Sequence, residues 1–233
     1  MKSEFLVVDP AEFAARAADR IAGEILALAS TPGTLSLAVS GGTTPAPINR
    51  ILARRGDLPW NRIDLYFADE RAVPPDHPQS NYRMVRESLL DHLPVPPHAV
   101  HRMEAEREDG ELAAADYARL LPDRFDLLIL GLGEDGHIAS LFPHQTDPDD
   151  PRRVLPVIAP KLPPRRMTIG PRVVLAAARR IVLVQGESKA NPVATAYEGP
   201  WNPSACPGQL AREALWILDR PAASLLIVLQ RQR

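Results

Sequence analysis

The sequence predicts an α/β fold, a mostly parallel sheet with helices on both faces, formed by residues 1–233 as a single domain. Three observations predict it. Short runs that are apolar at nearly every position, such as LSLAV (Leu35–Val39) and LLIL (residues 127–130), alternate with longer segments whose apolar residues keep helical spacing. A run of that kind reads as a strand buried on both faces, as strands of parallel sheets are. Glycines, hydroxyls and charges follow directly after several of these runs, and carboxyl ends of strands are where open α/β sheets bind ligands.

Taken in order, Glu4–Val8 is a short strand, and Pro10 suits the first turn of a helix over residues 11–29. Phe13, Ala17, Ile21, Ile25 and Leu28 form its apolar stripe, and Thr31-Pro32-Gly33 ends it. Leu35–Val39 is a strand, and Pro45 opens a helix to about Leu52. Ile63–Phe67 is the third strand, followed by a charged loop, Asp69-Glu70-Arg71, and a stiff proline-containing loop over residues 73–82. Ser80 or Asn81 caps a helix that runs to about His92, with Arg83 and Arg86 in its first turns facing the pocket. Residues 111–121 form a helix and 125–130 the central strand. The segment IASLF (138–142) is a helical turn stopped by Pro143, and residues 146–153 an exposed loop. Val154–Ile158 is an edge strand, 170–178 a helix, 181–184 a strand, and a further helix starts near Ala190. Residues 209–219 read as a helix and 224–229 as the last strand.

Composition narrows the function classes. Among 233 residues, 45% are hydrophobic and the net charge is −2, so neither disorder nor binding of nucleic acid through a broad basic surface is indicated. Cys206 stands alone in a Pro/Gly-rich turn, which rules out an intrachain disulfide and a cysteine zinc site. No stretch of 18 apolar residues occurs, and the N-terminus MKSEFLVVDP lacks a long apolar region, so a cytoplasmic protein that spans no membrane is expected. His77, His92, His98 and His101 share no metal-ligand spacing with acids or with the cysteine, so no metal is expected. The alanine-rich helices could pack internally or against another subunit, and the sequence does not choose.

Four strand ends carry candidate chemistry. After 125–130 comes GLGEDGH, in which Asp135 and His137 stand two apart. Histidine is the side chain whose ordinary pKa, ~6.5, suits proton transfer near neutrality, although a lone histidine after a strand is often only a turn or capping residue. After Leu35–Val39 comes SGGTTP. There Gly41 and Gly42 let the backbone approach a ligand, Ser40, Thr43 and Thr44 offer hydroxyls, and the free N–H groups of a helix start favour a phosphate. The same turn also suits a plain Ser/Thr cap. It is neither the P-loop nor the dinucleotide motif, so a nucleotide is not suggested. Arg71 could fork onto a phosphate, with Asp69 and Glu70 orienting it or binding sugar hydroxyls. Lys189 follows the strand 181–184 near a helix start and offers a further cation.

Together these segments resemble the 6-phosphogluconolactonase family. The matching stretches are LAVSGGTTP (37–45), DLYFADERAVPPDHPQSNYRMVRESLL (64–90), DLLILGLGEDGHIASLFP (126–143) and RMTIGPRVVLAAARRIVLVQGESKA (166–190), in the family's order and across nearly the whole chain. The resemblance implies a Rossmann-like α/β fold shared with glucosamine-6-phosphate deaminases and ribose-5-phosphate isomerases. It implies hydrolysis of 6-phospho-D-glucono-1,5-lactone, a phosphorylated sugar lactone, with no cofactor. It also implies that His137 is the general base and Asp135 the acid beside it. Ser40, Gly41, Gly42, Thr43, Arg71 and Lys189 fall on the phosphate side, and Asp69 and Asn81 on the substrate side. Glu134, often proline in relatives, and Ile138, often threonine, depart from the pattern without removing an ionisable group.

Rival readings stand beside this one. Glucosamine-6-phosphate deaminases share a DGHI turn, but their pattern continues into a segment bearing a glutamate that serves the histidine, where this chain has Ala139-Ser140-Leu141-Phe142-Pro143. A non-catalytic sugar-phosphate-binding protein would have no need of His137. Ser140 as a nucleophile lacks a GxSxG elbow. Backbone N–H groups of the glycine turns are expected to face the developing oxyanion.

Overall fold

The computed structural model describes residues 4–230. The parallel strands are β1 (Glu4–Val8), β2 (Leu35–Val39), β3 (Ile63–Phe67), β5 (Ala99–His101), β6 (Leu127–Gly131), β9 (Arg179–Val184) and β10 (Leu215–Asp219). They lie in the order β1-β10-β9-β6-β2-β3-β5, every neighbouring pair parallel. A second, antiparallel sheet is built from β4 (Asp69–Arg71), β8 (Arg165–Ile169) and β7 (Val154–Ile158), in the order β4-β8-β7.

All five residues of β2 and of β10 are buried. Side chains alternate between faces along a strand, so burial at every position means that both faces of the sheet are covered. The cover comes from α1 (Phe13–Leu28), α2 (Pro45–Ala53), α3 (Asn81–Ser88), α4 (Gly110–Leu120), α5 (Pro171–Ala176) and α6 (Ala190–Glu198), with a short α7 (Ile227–Gln230) at the end. The stripe expected on α1 is mostly its buried face: Phe13, Ala17, Ile21 and Ile25 are at most 1% exposed, and Leu28 is partly buried. Pro10 opens a single 3-10 turn, Pro10–Glu12, ahead of that helix.

The strand order positions the site. From β2 the chain moves outward to β3 and β5. From β6, its neighbour on the other side, it moves in the opposite direction to β9 and β10. The connections therefore part between the carboxyl ends of β2 and β6, and a crevice opens where helices leave on opposite sides.

Several expectations need correction. Residues 209–219 are not one helix. A 3-10 turn, Pro207–Ala211, leads into β10, whose LWILD run is buried between β9 and β1. The apolar positions of this segment fit a helix as well as a buried strand, and only the gap in the sheet decides between them. Residues 224–229 form no strand; a turn leads into α7. The three-residue edge strand β5 went unforeseen. Asp69-Glu70-Arg71 is not a solvated loop but the strand β4, with Asp69 and Glu70 buried. The segment 138–142 is not helical: Ile138 bridges Leu141 and Ala139 takes φ 48°. The helix after Ser80 ends at Ser88, and a separate 3-10 turn carries the chain to His92.

Candidate active site

A cleft of about 420 Å³ lies at the carboxyl ends of β2, β6 and β9. Ser40, Gly41, Gly42, Thr43, Asp69, Arg71, Asn81, His137 and Lys189 all line it. Asp135 does not reach the cleft wall and stands behind His137.

The turn after β6 is built to hold the imidazole. Gly133 N–H donates to His137 O at 2.8 Å, and Gly136 N–H to Gly133 O at 3.0 Å, which closes the loop on itself. Gly133 has no alternative there, because a Cβ on it would overlap His137 Nδ1. His137 Nδ1 meets Asp135 Oδ1 in a short hydrogen bond, and Phe142 supports the ring with centroids 4.8 Å apart. A carboxylate on Nδ1 fixes the proton there and leaves the Nε2 lone pair to act as a base. Burial works to raise the Asp135 carboxyl, but the His137 hydrogen bond and the Lys161 ammonium, 3.2 Å away, outweigh it and hold Asp135 well below the usual carboxylate range. The Gly133 and Gly136 N–H groups are spent within their own turn, whereas Gly41 and Gly42 of the turn after β2 line the cleft.

That turn joins β2 to α2, whose first N–H groups lack partners within the helix. Ser40 is less free than expected, since its hydroxyl donates to Ile129 O at 3.1 Å and ties β2 to β6. Gly41 is needed because a Cβ would overlap Asn81 Oδ1. Asn81 in turn donates to Asp69 O at 2.8 Å and to Asp69 Oδ1 at 3.0 Å, and Ser140 donates to Asp69 Oδ2 at 2.6 Å. Ser140 is thus a buried donor to a carboxylate, not an exposed nucleophile.

Glu70 is not a ligand residue. Its carboxylate accepts from the N–H groups of Arg71, Asn81 and Tyr82 and from the Ser80 hydroxyl, all within 3.0 Å. Burial pushes its pKa up although these four donors pull the other way. It anchors the start of α3, which Ser80 caps through Arg83 N–H. Arg83 and Arg86 do not line the cleft; they pair with Glu87, and Arg86 also with Asp91.

The cationic side is richer than the sequence suggested. Arg71 donates through Nη1 to Gln79 O at 2.7 Å, while its Nε is buried with no partner among the described residues. Arg166 also lines the cleft, over the Phe142 ring at 5.5 Å; burial, then the charge of Arg71, lowers its pKa. Lys189 is lowered mainly by burial, with the Glu134 carboxylate opposing. Glu134 also lines the cleft and accepts from Ser188 at 2.9 Å. Sequence reasoning missed Arg166, Lys161, Glu134 and Ser188 as site residues. Each sits in or beside a segment already singled out, but which strand faces which was needed to see them.

Among the described residues no group of three His, Cys, Asp or Glu side chains could hold a metal ion, and no helix is long and apolar enough to cross a membrane.

The fold and site define an α/β protein with a cleft at the switch point of its sheet, lined by Arg71, Arg166 and Lys189, and a carboxylate-held histidine in its wall. The chain belongs to the family described as glucosamine-6-phosphate isomerases/6-phosphogluconolactonase, which it matches over residues 8–216. It is 36% identical to a 6-phosphogluconolactonase of Streptomyces coelicolor, covering 90% of this chain and 89% of that protein. A 6-phosphogluconolactonase of Mycobacterium tuberculosis is 34% identical, covering 91% and 93%. The crystal structure of 6-phosphogluconolactonase from Thermotoga maritima superposes with a TM-score of 0.84 at 27% identity, over 94% of this chain and all of that one.

Proposed function

We propose that this protein hydrolyses 6-phospho-D-glucono-1,5-lactone to 6-phosphogluconate, the second step of the oxidative pentose phosphate pathway. One observation carries the reading: a cleft with His137, backed by Asp135, in one wall also holds Arg71, Arg166 and Lys189. A phosphorylated lactone needs both a base for water and cations for its phosphate.

A lactone is an activated ester, so water needs only a base and stabilisation of the oxyanion. His137 Nε2 takes a proton as the water oxygen attacks C1. The carbonyl electrons move onto the C1 oxygen, where backbone N–H groups lining the cleft can donate. Collapse re-forms the carbonyl, breaks the bond from C1 to the ring oxygen, and the proton on His137 goes to that leaving oxygen. The turn at Ser40–Thr43, with the Arg71, Arg166 and Lys189 charges, holds the 6-phosphate, and this remote binding positions the ring. General-base assistance is typically worth ~10²–10⁴-fold, ample for a reaction that proceeds slowly unaided. A cytoplasmic setting fits a chain whose one cysteine is buried and unpaired.

The deaminase reading is disfavoured by a specific feature. Beyond His137, where the deaminases carry the glutamate, this chain has Ala139, which lines the cleft, and Ser140, whose hydroxyl donates to Asp69.

The test is lactone disappearance, with substrate generated freshly and the spontaneous rate subtracted. Wild type should accelerate it, and His137→Ala should lose the acceleration with affinity nearly unchanged. Ammonia released from glucosamine 6-phosphate in place of lactone hydrolysis would overturn the assignment.

A further inference from the structure

The hairpin joining β7 to β8 turns through Ala159-Pro160-Lys161-Leu162-Pro163-Pro164 and is closed by Ala159 N–H donating to Pro164 O at 2.6 Å. It belongs to the second sheet, yet its tip reaches the catalytic turn. Lys161 Nζ lies 3.2 Å from Asp135 Oδ2, while Oδ1 of the same carboxylate holds His137 Nδ1. Both oxygens of Asp135 are therefore engaged, one by the base and one by a cation from another sheet. The tip itself is held. Arg166 donates through Nε to Pro163 O at 3.1 Å and through Nη2 to Leu162 O at 3.5 Å, and Arg166 also lines the cleft.

We propose that Lys161 is a positioning residue for hydrolysis: it fixes the charge and orientation of Asp135, and through it the imidazole of His137. This rests on reading His137 as the base. The Lys161 and Asp135 side chains are 45% and 31% exposed, and ion pairs so open to water add little to stability. The consequence of this one falls on the carboxylate it touches. With the ammonium on Oδ2, Asp135 stays ionised and keeps one oxygen turned to Nδ1–H. Without it, the carboxylate is free to rotate away from Nδ1 and the imidazole loses its fixed orientation. His137 and Lys161 meet Asp135 directly; Lys189, Arg166 and the Cys206 thiol feel its charge from neighbouring elements.

The experiment compares wild type, Lys161→Met, Lys161→Arg, Asp135→Asn and the double variant Lys161→Met/Asp135→Asn, with thermal melting of each as a check on folding. Lys161→Met should lower kcat about tenfold and leave KM within about twofold. Lys161→Arg should restore most of the rate. In the Asp135→Asn background the lysine replacement should cost nothing further, because its effect runs through that carboxylate. A raised KM with unchanged kcat would make Lys161 a substrate contact and overturn the proposal. So would an equal loss in the Asp135→Asn background, or a Lys161→Met enzyme indistinguishable from wild type. Wild type that fails to accelerate the lactone would instead sink the functional reading itself, a result separate from all of these.

Discussion

Arg71 on β4 and Arg166 on β8 are register partners across an antiparallel ladder, and both line the cleft. Like charges directly opposite one another destabilise a strand pair. Here the repulsion is built into the second sheet, beside a buried Arg71 Nε without a partner. An anion between the two guanidinium groups would relieve the repulsion and supply acceptors.

Removing the Arg71 guanidinium should therefore act on binding. Hydrogen bonds to charged groups contribute about 1.5–3 kcal/mol each, so Arg71→Met, which leaves the β7–β8 hairpin tip held by Arg166, should raise KM by roughly ten- to a hundredfold. The phosphate is held alike in ground and transition states, so kcat should change much less. Initial rates over a range of lactone concentrations separate the two. A loss confined to kcat would place Arg71 at the reacting carbon.

The turn that carries His137 has no room for a methyl group at Gly133. Gly133→Ala should push the imidazole and Asp135 out of register while leaving the sheet intact. A misplacement near 1 Å can cost about a hundredfold in rate, so kcat should fall by about that factor with little change in thermal midpoint. A crystal structure of the variant would show the displaced ring, and unchanged turnover would mean that the geometry of His137 does not matter.

Glu70 offers a test of stability apart from catalysis. Glu70→Gln replaces an acceptor oxygen with an NH₂ group where N–H and hydroxyl donors converge. Leaving buried donors unsatisfied costs about 1–3 kcal/mol. The urea midpoint should drop accordingly, with the start of α3 exchanging its amide hydrogens faster. An unchanged midpoint would show that Glu70 is dispensable as the anchor of that helix.

The strands that bear the chemistry were legible because their signals are local. Leu35–Val39 and 127–130 are short, apolar throughout and end in glycines, and a parallel strand must be buried on both faces. SGGTTP and GEDGH announced themselves the same way, since backbone access and an ionisable side chain are properties of residue type. The C-terminal region was misread for the complementary reason. LWILD and SLLIVL are both short apolar runs, and nothing within either says which one fills the gap between β1 and β9.

What the sequence by itself determined is the alternation of strand and helix, the residues able to bind or transfer protons, and their places at strand ends. Tertiary structure alone decided which of those residues meet. DER reads as a solvated loop until β8 pairs with it, buries Asp69 and Glu70, and sets Arg166 opposite Arg71. Lys161 reads as a surface lysine until the β7–β8 hairpin brings it to Asp135, 26 residues earlier in the chain. Pairing between distant segments is fixed by the packing of whole sheets, and no local pattern of residue types encodes it.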